Sequence, residues 1–136
     1  MSNKVELHEA AMSASADGIS LLSPAALPKV LGEALLPGVL VVSLLNRNGL
    51  LLGCAGDAQA APAISAIVSN LWQNFEKCDG TLGCLLLECE HGRLAIKAVG
   101  SFLITCCSDA TVPFGMLKAK VLALHAFLLP ALSQIA

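Results

Sequence analysis

The sequence predicts a single α+β domain with the element order α-β-β-α-β-β-β-α. Three observations support this prediction: a length that fits one core, β-rich runs joined by tight turns, and three segments with apolar residues at helical spacing. The chain has 136 residues, 56% of them hydrophobic and 13% charged. The charged share is roughly half of the typical value of about 25%. The chain can therefore fill a sizeable core, but it is too short for a second one.

Residues 1–22 are predicted to form a flexible tail, and residues 23–136 the folded domain. The tail carries Lys4 against Glu6, Glu9 and Asp17, which accounts for the whole net charge of −2. The domain itself then has equal numbers of acidic and basic side chains. Because a neutral surface with few ions favours association, we expect this domain to have an obligate protein partner.

The first helix is predicted after Ser23-Pro24, a capping residue followed by the proline that suits a first turn. Its apolar residues recur at helical spacing until Pro37-Gly38. Pro28 lacks the amide that a helix interior needs, so the regular part could begin only there.

A β-hairpin follows this helix. Residues 39–45 and 50–54 are apolar, and between them Asn48-Gly49 is a dipeptide that tolerates two positive φ angles. Both faces of the first strand are apolar. We therefore expect helices, or another chain, to cover both sides of the sheet.

A second helix is predicted between Ala58 and Lys77, with Pro62 in its first turn and residues 78–80 at its end. Its most continuous apolar stripe is assigned to the core of the domain. The stripe consists of Ile64, Ile67, Leu71 and Phe75.

The last part of the domain is predicted to be a meander and a helix. Three strands over residues 82–89, 93–99 and 102–107 are joined by turns too short for crossovers, one of them Glu90-His91-Gly92. Apolar residues at helical spacing from Leu117 to Leu128 then predict a third helix that runs until Pro130.

Composition and motifs argue against several functions. There is no basic patch for nucleic acid, no glycine-rich phosphate loop and no CxxC pair for zinc, and the three histidines fall in separate segments. The six cysteines are expected to be reduced, small apolar side chains. The apolar run at residues 34–45 is too short to span a membrane, so we expect membrane residence only through partners. We expect no catalytic residues, cofactor or metal.

Two features are candidates for partner binding. On the second helix, Ser65 and Ser69 lie one turn apart with Trp72 beyond them, and small residues next to an aromatic anchor suit a close helix contact. The strand that contains Cys84, Leu85, Leu86 and Leu87 is the other candidate. It begins the meander, and an apolar strand at a sheet edge can recruit a strand from another chain.

Four segments resemble the Roadblock-domain family, and within it the Roadblock subunits of Ragulator. They are residues 69–72 (Ser-Asn-Leu-Trp), 90–96 (Glu-His-Gly-Arg-Leu-Ala-Ile), 112–120 (Val-Pro-Phe-Gly-Met-Leu-Lys-Ala-Lys) and 130–136 (Pro-Ala-Leu-Ser-Gln-Ile-Ala). The resemblance implies a profilin-like α/β/α sandwich. A five-stranded antiparallel sheet would have the second helix on one side and the first and third helices on the other.

The resemblance also implies a heterodimer with a second Roadblock subunit, in which the third strands pair and the second helices pack together. The implied interface residues are Ser65, Val68, Ser69 and Trp72 on the helix and Cys84, Leu85, Leu86 and Leu87 on the strand.

The implied function is that of a non-enzymatic scaffold. In Ragulator, a lipidated subunit anchors the dimer at the cytoplasmic face of late endosomes and lysosomes. The assembly holds Rag-type GTPases for target-of-rapamycin and MAP kinase signalling, and nucleotide exchange belongs to the whole complex. The alternatives are a dynein light chain or homodimeric small-GTPase regulator of the same family, and, from another class, a sensor or enzyme with a small ligand in the sandwich.

Overall fold

The structure of the protein, a computed structural model, describes residues 22–78, 83–90 and 92–134. Several predictions lie outside the described residues. They are the tail up to residue 21, the helix end at Asp79-Gly80, the strand start at Leu82 and the turn position of His91.

The described residues form three helices and five strands in the predicted order, which is confirmed. The elements are α1 (Leu27–Gly32), β1 (Val39–Asn46), β2 (Leu51–Gly56), α2 (Ala61–Cys78), β3 (Cys84–Cys89), β4 (Gly92–Val99), β5 (Phe102–Ser108) and α3 (Phe114–Ser133).

The five strands form one antiparallel sheet with the order β2-β1-β5-β4-β3. The hairpin β1–β2 and the meander β3–β4–β5 are joined through β1 and β5, where Ser43 is paired with Thr105. β2 and β3 are therefore the two edge strands of the sheet.

Two apolar clusters lie on opposite faces of the sheet. On one face, α1 and α3 pack against strand residues that include Val42, Ala95 and Ile104. On the other face, α2 packs against residues that include Leu45, Ile96 and Leu103. Both faces of the sheet are thus covered by helices, as the apolar pattern of the strands predicts.

Just before α1, Ser23 stabilises a turn. The Ser23 hydroxyl accepts a hydrogen bond from the Ala26 amide at 3.0 Å. The regular helix begins at Leu27, with Pro28 in its first turn, where a missing amide costs little. The side chain of Leu27 is completely buried.

The turn between β1 and β2 differs from the prediction of two positive φ angles. Gly49 has a φ of 93°, whereas no described residue other than glycine, Asn48 included, has a positive φ. The side chain of Asn46 accepts hydrogen bonds from the amides of Asn48 and Leu50, both at 2.9 Å. This side chain holds the turn, so only the glycine needs the left-handed region.

α3 continues past Pro130, where the prediction placed its end, and stops only at Ser133. The following residues Ala131 and Leu132 are each only 1% exposed. Because both are buried and Leu132 packs in the core cluster, packing keeps the last turn helical although one main-chain hydrogen bond is lost.

Within the described residues, α3 is the one helix long and apolar enough to cross a membrane, a criterion that a core helix also meets. Its inner side chains Leu117, Val121, Leu124 and Leu128 belong to the core of this domain.

Candidate protein–protein interface

β3 is an edge strand whose only strand partner in the described part of the chain is β4. Of the four residues predicted for an interface, Leu85 is buried, Cys84 and Leu87 are half-buried, and Leu86 is 36% exposed. The prediction that this strand lies at the edge is confirmed. An apolar edge with free main-chain groups is a surface on which another strand can pair.

The helix residues predicted for the interface lie elsewhere. Ser65, Val68, Ser69 and Trp72 are at most 5% exposed and face the sheet of their own chain. Side chains already buried within one chain have almost no surface to lose to a partner. In the free chain these side chains face inward, and their contact with a partner stays a prediction.

The serines serve a close contact between α2 and the β1–β2 turn. A Cβ atom added at Gly49 would lie 3.4 Å from the Ser69 Cβ and 3.6 Å from the Ser65 carbonyl oxygen. The Ser69 hydroxyl donates a hydrogen bond to the carbonyl oxygen of Arg47. Small residues permit this approach, and it is internal to the chain.

Arg47 ties the β1–β2 turn to two other parts of the domain. Its Nη1 lies 2.8 Å from both carboxylate oxygens of Glu76 on α2. Its Nη2 donates a 3.0 Å hydrogen bond to the carbonyl oxygen of Gly100 in the β4–β5 turn. The hydrogen bonds from Arg47 hold the pKa of Glu76 below its usual value.

The exposed apolar surface of α2 consists of the residues that the sequence assigned to the core. We call Ile64, Ile67, Leu71 and Phe75 the α2 flank. Ile67 is 57% exposed and Phe75 40% exposed. Ile64 and Leu71 are half-buried against the cluster below the helix. Ile64 and Ile67 also line a cavity together with Cys89 of β3, so the flank lies on the β3 side of the helix.

An apolar cavity lies between the first half of α2 and the end of β3. Its volume is about 320 Å³. The apolar walls and two thiol groups come from β1, α2, β3, β4 and β5, namely Leu40, Ile64, Ile67, Cys89, Leu94 and Cys107. No stretch of local sequence could have predicted this cavity, because five separate elements contribute to it.

Three cysteines of β3 and β5, Cys84, Cys106 and Cys107, are poor nucleophiles. Burial raises the pKa of Cys84 and Cys107, and it raises the pKa of Cys106 to about 12. These thiols are therefore protonated at neutral pH and behave as small apolar side chains. In the described ranges, no three His, Cys, Asp or Glu residues come together as a metal site.

Arg93 joins two of the segments that carry the family resemblance. Its Nη1 donates a 2.9 Å hydrogen bond to the Val112 carbonyl oxygen. The guanidinium lies over the Phe114 ring, 4.6 Å from its centroid. These contacts fix the beginning of α3 against β4.

The fold and the matching family model define the class of this protein. The model described as the Roadblock/LC7 domain matches residues 29–108, more than half of the chain. The chain belongs to the Roadblock/LC7 family.

Within the family, a more particular likeness is found to a protein of Caenorhabditis elegans named Ragulator complex protein LAMTOR2 homolog. The two sequences are 32% identical over 112 residues, which cover 79% of this chain and 90% of that protein.

Solved structures show the same fold at low sequence identity. The Roadblock/LC7 domain from Streptomyces avermitilis superposes with a TM-score of 0.67 and 16% identity, covering 78% of this chain and 97% of that one. The gliding protein MglB from Thermus thermophilus gives a TM-score of 0.67 and 17% identity, covering 78% and 87%. The profilin-like Roadblock sandwich implied by the resemblance is confirmed.

Proposed function

We propose that this chain is a scaffold subunit that pairs through β3 and the α2 flank with a second Roadblock-domain protein. The observation that supports this proposal best is the open edge of β3. It presents Leu86 to solvent on the α3 face of the sheet, and on the other face Ile67 and Phe75 of the α2 flank are exposed. Strand pairing supplies main-chain hydrogen bonds, and the flank supplies apolar area next to them.

The likeness to a LAMTOR2 homolog supports a more specific role in a Ragulator-like assembly. In that role the partner is the second Roadblock subunit of Ragulator. A lipidated subunit holds the pair at the late endosomal and lysosomal membrane, where the assembly anchors Rag-type GTPases for target-of-rapamycin and MAP kinase signalling. The chain acts by binding, and nucleotide exchange is a property of the assembled complex.

Co-expression with the second Ragulator Roadblock subunit tests this proposal. We expect a one-to-one heterodimer by multi-angle light scattering. If the chain forms homodimers exclusively in the presence of that subunit, the heterodimeric scaffold is excluded, and a homodimeric GTPase regulator takes its place.

A pair of matched variants locates the interface. Leu86 on β3 and Leu52 on β2 are both 36% exposed, and each lies on an edge strand. A lysine on an edge strand opposes strand pairing. We expect Leu86→Lys to weaken association by at least about tenfold, or about 1.4 kcal/mol, and Leu52→Lys to leave it unchanged. Isothermal titration calorimetry measures both. Equal effects of the two variants would exclude β3 as the pairing edge.

A further inference from the structure

The cavity and Phe75 lie at opposite ends of the surface formed by β3 and the α2 flank. The cavity is lined by Ile64 and Ile67 from the first half of α2 and by Cys89 at the end of β3. α2 therefore runs antiparallel to β3 in this region. From this direction we infer that Phe75, eleven residues beyond Ile64 and 40% exposed, lies towards the beginning of β3.

The length of helix between Ile64 and Phe75 matches the length of β3. Eleven residues of α-helix span about 16 Å at 1.5 Å per residue. The five steps from Cys84 to Cys89 span about 17 Å of antiparallel strand. The apolar side chain on the helix and the cavity are thus placed at similar distances from the middle of β3.

A two-fold axis through the middle of β3 brings these features together. In an isologous antiparallel pair, the beginning of β3 in one subunit faces the end of β3 in the other. In this arrangement, the partner's second helix lies next to the cavity at the position that corresponds to Phe75. The same operation carries Phe75 to the corresponding place on the partner.

We propose that the cavity receives a large apolar side chain from the second helix of the Roadblock partner, at the position that corresponds to Phe75. This inference rests on the proposed function and names the contact that would make the pairing specific. The volume of about 320 Å³ is at the lower end of the range of about 300–1,000 Å³ for ligand pockets. An anchor side chain that fills an apolar pocket near a strand contact is a typical binding hot spot.

A substitution that fills the cavity with a large side chain of this chain tests the proposal. Cys89 is exposed, so Cys89→Trp can place an indole in the cavity without disturbing the core of the domain. Leu52→Trp is the matched control, because Leu52 is 36% exposed on the opposite edge strand. Calorimetry with the second Ragulator Roadblock subunit gives the Kd for each variant, and the melting temperature of each isolated variant verifies its fold.

We expect Cys89→Trp to raise the Kd by at least about tenfold and Leu52→Trp to leave it within about twofold. An unchanged Kd for Cys89→Trp, together with a weakened Leu86→Lys, overturns the cavity contact and leaves the proposed pairing intact. A small apolar molecule retained in the wild-type complex by native mass spectrometry also overturns it, because the cavity would then hold a ligand.

A second measurement uses the wild-type chain, so it does not require that any variant folds. Alkylation of the Cys89 thiol by a maleimide, followed by peptide mass spectrometry, reports access to the cavity mouth. We expect the rate to fall by at least about tenfold in the complex, since hot-spot pockets exclude water and reagents. Equal rates in the free chain and in the complex contradict the proposal. If the chain pairs only with itself, the same measurements apply to that homodimer, in which the entering side chain is Phe75 of a second copy.

Discussion

The two edge strands of the sheet, β2 and β3, differ in what packs against them. At the β2 edge, α1 packs so closely that a Cβ atom at Gly53 would lie 2.6 Å from Leu27 Cδ2, and Arg47 fastens the adjoining turn to α2. Neither edge has an outer strand within the described residues, but at the β3 edge Ile67 and Phe75 of the α2 flank are exposed. The closed edge stabilises the folded chain, whereas the open edge offers apolar area and main-chain groups to a partner. Substitutions at the two edges should therefore affect different equilibria.

The largest expected effect concerns the buried face of α2. Trp72 is only 1% exposed and packs in the cluster below the helix. Trp72→Ala should lower the free energy of unfolding by about 3–5 kcal/mol, because it leaves a large cavity. Urea denaturation of the isolated chain measures this effect. Unchanged stability with a loss of association would show that Trp72 contacts the partner. The assignment of one side of α2 to the core and the other to the interface would then be wrong.

A smaller effect is expected from a single methyl group at the closed edge. Gly53→Ala should lower the free energy of unfolding by about 1–3 kcal/mol, since the new Cβ meets a Leu27 side chain that has no exposed surface. Gly83→Ala, just before β3, is the matched control, because a Cβ there meets nothing within 4 Å. Thermal unfolding of both variants gives the comparison. Equal destabilisation would show that the two edges are equally tight.

A pH dependence tests the ion pair that fastens the closed edge. Hydrogen bonds from Arg47 lower the pKa of Glu76 from its usual value of 4.5. A carboxyl whose pKa is lower in the folded state stabilises the protein above its unfolded pKa, and this contribution is lost as the pH falls through the folded pKa. The free energy of unfolding should therefore decrease on acidification below about pH 4.5, and less steeply in Glu76→Gln. Parallel pH curves for the two proteins would contradict the role of this ion pair.

The smallest effect on folding is expected at the open edge. Ile67→Ser removes an apolar side chain that is 57% exposed, so the free energy of unfolding should change by no more than about 0.5 kcal/mol. Denaturation of the isolated chain and calorimetry with the partner separate the two equilibria. A loss of more than 2 kcal/mol of folding stability, roughly the effect of a core truncation, would make Ile67 a core residue.

Local sequence signals predicted the element order, both edge-forming hairpins and the location of β3 at the edge. They did not predict which side of α2 is buried, because two stripes with helical spacing were available. The stripe of Ile64 and Phe75 is more apolar, but the stripe with Ser69 can come closer to the sheet. The stripe with Ser69 is the buried one because it packs closely next to Gly49. This packing is a contact between segments that are distant in the sequence.

Other differences also come from tertiary structure. Pro130 does not end α3, because burial of Leu132 holds the last turn in place. The side chain of Asn46 holds the hairpin turn in a form that needs one positive φ angle where the Asn48-Gly49 dipeptide permits two. The cavity combines residues from five elements, so sequence periodicity contains no signal for it.

The contacts of Arg47 lower the conformational entropy that the subunit loses when a partner binds. They join the β1–β2 turn, α2 and the β4–β5 turn before any partner arrives. The tilt of α2, and with it the spacing between its flank and β3, is thereby set in the free subunit. A preorganised surface loses little conformational entropy on docking, so more of the contact energy remains as affinity.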